Sequence, residues 1–140
     1  LHVFYRINSN TSFTTQTLFT TLSDITVTQG GNGNSSTATQ NFSTSSGATI
    51  NQSGDNNISL AMQVGDSNFI DLLQSGDGNM SDADQNGTSL DAKIKQSGDN
   101  NESFLTQVGG TNMATVTQST NGNLSTVSQM NIGNVAVVTQ

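Results

Sequence analysis

The sequence predicts an all-β fold: a two-sided β-solenoid of cross-β type, built of 22-residue strand-turn-strand rungs that form two parallel sheets face to face. Three observations predict it. Glutamine recurs at Gln29, Gln40, Gln52, Gln63, Gln74, Gln85, Gln96, Gln107, Gln118, Gln129 and Gln140, at intervals of 11 residues with one interval of 12, and only Gln16 lies off this grid. Glycine follows most of these glutamines by two positions and asparagine by five, which places turn chemistry in every unit. Between turns, small or apolar residues alternate with polar or mixed ones, the period of a strand with one buried face.

An interval of 11 residues also suits a helix of about 3.67 residues per turn. The residue types refuse that reading. Gly54-Asp55-Asn56, Gly65-Asp66-Ser67, Gly76-Asp77-Gly78 and Gly98-Asp99-Asn100 would interrupt a helix in unit after unit, yet they suit tight turns. After each turn asparagine, the second and fourth residues face inward: Ser59 and Ala61, Ile70 and Leu72, Ser81 and Ala83, Ala92 and Ile94, Ser103 and Leu105, Ala114 and Val116, Ser125 and Val127, Ala136 and Val138. Asp71, Asp82, Asp84, Lys93, Lys95, Thr115 and Thr117 fall on outward positions. The pattern breaks at Thr120 and Asn131 in the glycine position and at Leu90 in the asparagine position. It breaks again between 40 and 52, where Phe42 replaces the glycine and one residue is added.

A repeat of this kind fixes the architecture. Five rungs are expected, at 29–51, 52–73, 74–95, 96–117 and 118–140. Residues 1–28 form an N-terminal segment, partly irregular, with a partial strand at 23–28 because Ile25 and Val27 hold inward positions. Stacked at about 4.8 Å per rung, residues 22 apart superpose. Gln29, Gln52, Gln74, Gln96, Gln118 and Gln140 then make one column and Gln40, Gln63, Gln85, Gln107 and Gln129 another. Asn34, Asn57, Asn79, Asn101 and Asn123 accompany the first, and Asn68, Asn112 and Asn134 the second. A buried amide without a partner is costly. In a column, each NH₂ bonds the carbonyl of the neighbouring amide, as in stacked amide ladders, and the penalty is removed.

Composition narrows the function. Ser, Thr, Asn and Gln supply 69 of 140 residues, while Leu, Ile, Val and Phe number only 31, too few for an oily core around helices. There is no Cys and a single histidine, His2, so neither a disulfide framework nor a Cys/His zinc site is available, and no cofactor is expected. With a net charge of -7 and only Arg6, Lys93 and Lys95 as cations, nucleic acid is excluded as a partner. Apolar runs fall far short of the roughly 20 residues that span a bilayer, so membrane insertion is not expected, and no secretory signal marks the start. Catalysis would need a nucleophile with a base, or paired carboxylates in a pocket. Asp82 and Asp84 face outward on one strand, and no enzyme is expected.

The unit Q-x-G-x-x-N-x-A-x-x-x-Q resembles the curlin repeat of the subunits that build curli, the extracellular amyloid fibres of bacterial biofilms. Residues 29–140 carry the resemblance, and Gln107-Val108-Gly109-Gly110-Thr111-Asn112-Met113-Ala114-Thr115-Val116-Thr117-Gln118 matches at every signature position. The resemblance is to the major fibre subunit. It implies a secreted structural protein on the bacterial cell surface that assembles with itself head to tail, supports adhesion and aggregation, and meets a nucleator subunit and an outer-membrane secretion pore. It also implies that roughly the first 20 residues serve export outside the fibre core. Leu1, Val3, Phe4, Tyr5, Ile7, Phe13, Leu18, Phe19 and Leu22 are more apolar than a solvated tag and suit packing on the solenoid or on a neighbouring subunit.

Assembly is also expected without the resemblance. A solenoid has open ends with unpaired backbone groups, and soluble repeat proteins cover them with polar caps. Val135-Ala136-Val137-Val138-Thr139-Gln140 forms an uncharged β-branched edge, and residues 103–140 hold no charge and no proline. The expected subunit interface therefore joins Val135, Ala136, Val137, Val138 and Gln140 to Ile25, Val27 and Gln29 of a second copy. Nine of the ten acids lie between residues 55 and 102. They serve solubility, or Asp55, Asp66, Asp77 and Asp99 act as gatekeepers that slow premature aggregation. Asp71 and Lys93 should meet across one rung. Alternative readings are a minor nucleating subunit, marked by charged or irregular terminal rungs, and a monomeric ice- or ligand-binding solenoid. Outward Thr-x-Thr pairs such as Thr37 and Thr39 suit ice binding, but Asp, Lys, Leu and Phe interrupt the face. The Gly-Asp-x-Asn turns are explained by geometry rather than calcium, whose β-roll unit follows a different pattern.

Overall fold

The computed structural model describes residues 2–5, 9–17 and 20–140. Within them the chain winds through thirteen strands: β1 (His2–Tyr5), β2 (Thr11–Gln16), β3 (Asp24–Gln29), β4 (Ser35–Asn41), β5 (Gly47–Ser53), β6 (Ile58–Val64), β7 (Phe69–Ser75), β8 (Met80–Thr88), β9 (Asp91–Ser97), β10 (Glu102–Gly110), β11 (Met113–Gln118), β12 (Leu124–Ile132) and β13 (Val135–Thr139). Odd-numbered strands stack in chain order into a seven-stranded sheet, here sheet A, and even-numbered strands into a six-stranded sheet B. All neighbouring strands are parallel, because each turn of the solenoid lays its strand on the one a full turn earlier. The described residues contain no helix long and apolar enough to cross a membrane.

Register keeps each repeat position above itself. Gln74 pairs with Gln96 and Ile70 with Ala92 in sheet A, while Gln85 pairs with Gln107 and Ala83 with Leu105 in sheet B. Between the sheets lies a core of unequal contributions. Sheet A supplies Ile25, Val27, Ile50, Ile70, Leu72, Ile94 and Val116, mostly β-branched chains that suit a pleated surface, all buried. Sheet B answers with Ser36, Ala38, Ser59, Ala61, Ser81 and Ala83, and only Leu105 and Val127 are large. Small residues on one sheet leave room for branched ones on the other, which is how so polar a chain fills its interior.

Turns close because their residues tolerate left-handed backbone. Asn56, Ser67, Ser89 and Asn100 all have φ between 56° and 59°, a region where asparagine is strained least among residues with a Cβ. Gly76 is more tightly specified. Its φ is +97°, and a Cβ there would run into the carbonyl oxygen of Gly98 in the next rung.

The structure extends the expected repeats downward. The partial strand expected at 23–28 is the full strand β3, Asp24–Gln29, and Gln29 belongs to it. Beneath it, β1 pairs with β3 and β2 with β4, adding a turn that the 11-residue grid does not reach. Gln16 stands in register with Gln40, 24 residues on, because Gln16 and Gln29 are 13 residues apart where the repeat keeps 11. Leu1, Ile7, Leu18 and Phe19, among the apolar residues of that segment, lie outside the described residues, as does Arg6. Phe13 and Leu22 are 63% and 88% exposed.

Candidate functional site

The repeat positions converge on hydrogen-bonded columns that run along the solenoid. In sheet A, Gln29 Nε2 donates to Gln52 Oε1 at 2.8 Å, Gln52 to Gln74 at 2.9 Å, Gln74 to Gln96 at 2.9 Å, Gln96 to Gln118 at 2.9 Å and Gln118 to Gln140 at 3.1 Å. Sheet B repeats this from Gln16 through Gln40, Gln63, Gln85 and Gln107 to Gln129, at 2.8 to 3.0 Å. Every amide points the same way. Donors face the C-terminal end of the stack and acceptors the N-terminal end, so each column carries one direction.

Each glutamine also crosses between sheets, which the column alone does not suggest. Gln52, Gln74, Gln96 and Gln118 of sheet A donate their second N–H to the carbonyls of Ser35, Ile58, Met80 and Glu102 at the start of sheet B strands. Gln63, Gln85 and Gln107 return the bond to Gly47, Phe69 and Asp91 in sheet A. Every interior glutamine thus joins two rungs and two sheets, and its burial leaves no polar atom unmet.

Asparagine works differently. At the turn from sheet A to sheet B, the side-chain oxygens of Asn34, Asn57, Asn79 and Asn101 accept the backbone N–H of Asn57, Asn79, Asn101 and Asn123 one rung on. Nδ2 of Asn79 closes its own turn on Ser75 O and reaches Gly98 O in the next rung, at 3.2 and 2.8 Å. Asn10, which the repeat spacing does not single out, starts this column by accepting from Asn34 N at 2.9 Å. At the opposite turn the column is mixed. Ser46 Oγ accepts from Asn68 N, Asn68 Oδ1 from Leu90 N, and Asn112 Oδ1 from Asn134 N, while Leu90 is buried and offers no acceptor to Asn112.

The turn aspartates hold the backbone. Asp55 Oδ1 accepts from Asn32 N, Asp77 Oδ1 from Asp55 N, Asp99 Oδ1 from Asp77 N and Asn121 Oδ1 from Asp99 N, at 2.8 to 2.9 Å. Asp66 does the same for Thr44 N at the other edge. The signal for this was present in the sequence as Asn or Asp at rung spacing from Asn32 to Asn121. Asp71 and Lys93 are register partners across the ladder.

Elsewhere on the surface the chemistry is sparse. The outer faces of sheets B and A bear shallow grooves of about 380 and 400 Å³. In the first, Asp82 and Asp84 of β8 lie between Leu60 and Met62 of β6 and Phe104 of β10. Burial among these side chains raises the carboxyl of Asp82 above its ordinary value. Burial, and then the charge of Asp82, raises that of Asp84. Among the described residues no group of three or more His, Cys, Asp or Glu could hold a metal ion.

At the ends the columns differ. Val135 and Val137 of β13 are each 70% exposed, while Ala136 and Val138 pack on the core. Ile25, Val27 and Gln29 of β3 are buried, and β3 is not the edge of its sheet, since β1 pairs with it. Gln29 Oε1 is buried with no hydrogen-bond partner.

The sequence model of the curlin associated repeat matches residues 44–76, 65–98 and 98–130, which together cover 87 of the 140 residues. Compared with curated proteins, the chain matches none.

Proposed function

Because the chain belongs to the curlin family, we propose that copies of it stack head to tail into an extracellular amyloid fibre of a biofilm matrix, as the major subunit, supporting adhesion and aggregation. The curlin repeats and the solenoid fold make it a curli-type structural fibre subunit. Its main partner is then itself, in an open-ended homopolymer that does not close. A nucleator subunit and an outer-membrane secretion pore are the other partners this reading assigns, and the cell surface is its place.

The observation that carries the reading is the one-way polarity of the glutamine columns. Gln16 and Gln29 begin their columns as donors, with Oε1 toward the N-terminal end of the stack, and Gln129 and Gln140 end them as acceptors, with Nε2 toward the C-terminal end. A copy in the same direction turns its acceptors toward these Nε2 donors, which a reversed copy does not. Strand edges at β12 and β13 supply backbone pairing in the same direction.

Quiescent incubation of the purified protein at micromolar concentration tests this. Unbranched fibres with a meridional reflection at about 4.8 Å are expected, forming more slowly when Gln29 and Gln140 are both replaced by Ala. A protein that stays monomeric under these conditions would sink the fibre reading in favour of a monomeric binding solenoid.

A further inference from the structure

We propose that β1 is a displaceable cap, occupying in the monomer the edge of sheet A that β13 of a second copy takes in the fibre. This rests on the head-to-tail reading and adds a regulatory step to it. The first ground is the order in which strands enter the stack. The two sheets climb in alternation, so a second copy must supply strands in alternation too. β13 lies in sheet A, half a turn beyond β12, and the next strand must therefore enter sheet B over β12. β2 is the first strand of a copy that fits there, and β3 follows it onto β13. β1 precedes β2 in sheet A, at the level β13 already fills. With β1 left on β3, the copy has to start one level higher, and sheet B carries a gap one strand wide above β12, about 4.8 Å.

The second ground is the Gln29 side chain. Each glutamine that follows it in the column, up to Gln118, gives one N–H to the neighbouring Oε1 and one to a carbonyl of sheet B. Gln140 has the sheet B bond, to Leu124 O at 3.1 Å, and receives from Gln118. Its remaining N–H is the one that every other member of the column donates onward. At the opposite end, Gln29 Oε1 is buried and unpartnered, and the residue in register beneath it is Tyr5, which carries no amide. A donor and an acceptor of the same column are thus left over at its two ends.

Replacing β1 by β13 of a second copy satisfies both. Continuing the register sets Ala136 against Ile25, Val138 against Val27 and Gln140 against Gln29, with apolar residues inward as in the β11–β13 pair. At the same time Gln129 of the second copy reaches Gln16, in register with the column that Gln16 begins. The acceptor left without a bond in the monomer is the one the fibre needs.

Because the chain has no cysteine, a reversible lock tests the proposal cleanly. Phe4 and Thr28 are register partners, and neighbouring strands lie about 4.8 Å apart, within the range of about 4.4–6.8 Å that a disulfide spans. The double variant Phe4→Cys, Thr28→Cys, oxidised with diamide, is compared with its reduced form in elongation of sonicated seeds of unmodified protein. Thr49→Cys, Asp71→Cys, register partners on the outer face of sheet A, provides an oxidised control within β5 and β7. Loss of elongation for the oxidised β1–β3 variant, recovery on reduction, and unimpaired elongation by the oxidised control are expected. A chain lacking residues 1–8, which keeps Asn10 and β2, should start fibres with a shorter lag. Oxidised β1–β3 protein that elongates seeds as fast as its reduced form, or a truncated chain with an unchanged or longer lag, would overturn the cap while leaving the fibre intact. Should unmodified protein form no fibres at all, the fibre reading falls and the cap with it.

Discussion

The two long edges of the solenoid meet the same demand with unequal regularity. On the edge where sheet A turns into sheet B, asparagine holds every rung from Asn10 to Asn123, with a second line of acceptors from Asp55 to Asn121 beside it. On the edge where sheet B turns back, Ser46, Asn68, Leu90 and Asn112 follow one another. In both places a backbone N–H of one rung needs an acceptor from the rung before. Any side chain with an oxygen at that point serves, as Ser46 Oγ does, and Leu90 exchanges the acceptor for apolar burial. The glutamine columns contain no such exception between Gln16 and Gln129 or between Gln29 and Gln140. A glutamine bonds along the stack and across the sheets at once, so its replacement loses more than a turn residue does.

Both edges share one demand, backbone crowding between rungs, and its loss at the last rung sets the first comparison. Gly76 has φ +97° and faces the carbonyl of Gly98, as Gly65, Gly87 and Gly109 on the irregular edge face the backbone of the rung that follows them, whereas Gly133, in the last rung, has φ +75° and nothing within reach of an added Cβ. Gly76→Ala should destabilise the folded monomer by about 3 kcal/mol, combining a left-handed backbone with a collision that the next rung cannot avoid. Gly133→Ala carries only the left-handed term, about 1 kcal/mol. Urea unfolding of both variants measures the difference. Equal losses would mean that turn conformation alone, and not stacking between rungs, selects glycine.

Exchanging the two asparagine-position residues sharpens the comparison. Asn79→Leu leaves the buried N–H of Asn101 without its acceptor and two carbonyls without their donor, at a cost of about 2–4 kcal/mol. Leu90→Asn gives Asn112 an acceptor but removes a buried leucine, a loss of about 1.5–3 kcal/mol against hydrogen bonds of about 1 kcal/mol each. The second change should therefore come out within about 1 kcal/mol of neutral. A strong stabilisation by Leu90→Asn, seen as a raised urea midpoint, would show that the irregular edge is a defect and not an exchange of equals.

What the sequence disclosed followed from how rigidly each position repeats. Strands, sheet pairing and column membership could be read because Gln29 to Gln140 keep one interval and a parallel stack turns that interval into contact. The turn beneath escaped for the same reason. Asn10 and Gln16 lie 24 residues from the Asn34 and Gln40 they join, so they fall off any 22-residue grid although they make the same bonds. Bonds from Gln74 to Ile58 O and from Gln96 to Met80 O left no trace in residue type, since a backbone carbonyl is present at every position. The turn aspartates could be read as charges, but their work as acceptors depends on where their oxygens point. The covering of β3 by β1 was hidden because β1 lies outside the repeat, and Tyr5 carries no mark of the column it covers.

Carboxylates on the edges and on the outer face form the mildest contrast. Asp55, Asp77 and Asp99 accept backbone N–H groups, whereas Asp82 and Asp84 lie among Leu60, Met62 and Phe104, and Asp84 Oδ1 is buried with no partner. Burial raises both face carboxyls above the ordinary value of 3.8, and the Asp82 charge adds to the rise at Asp84. The folded chain thus holds these protons more tightly than the unfolded chain. Stability from the pair is fullest when both are protonated, below 3.8, and declines as pH climbs from 3.8 through the raised values, after which it is level. Because both groups are partly solvated, the decline is below about 1 kcal/mol. Asp82→Asn with Asp84→Asn should raise the urea midpoint at pH 7, leave it nearly unchanged at the acid end, and so flatten the slope between. If the double variant instead gains most at the acid end, the two carboxylates are held by favourable bonds in the folded state, and the face and the edges of the solenoid treat charge alike.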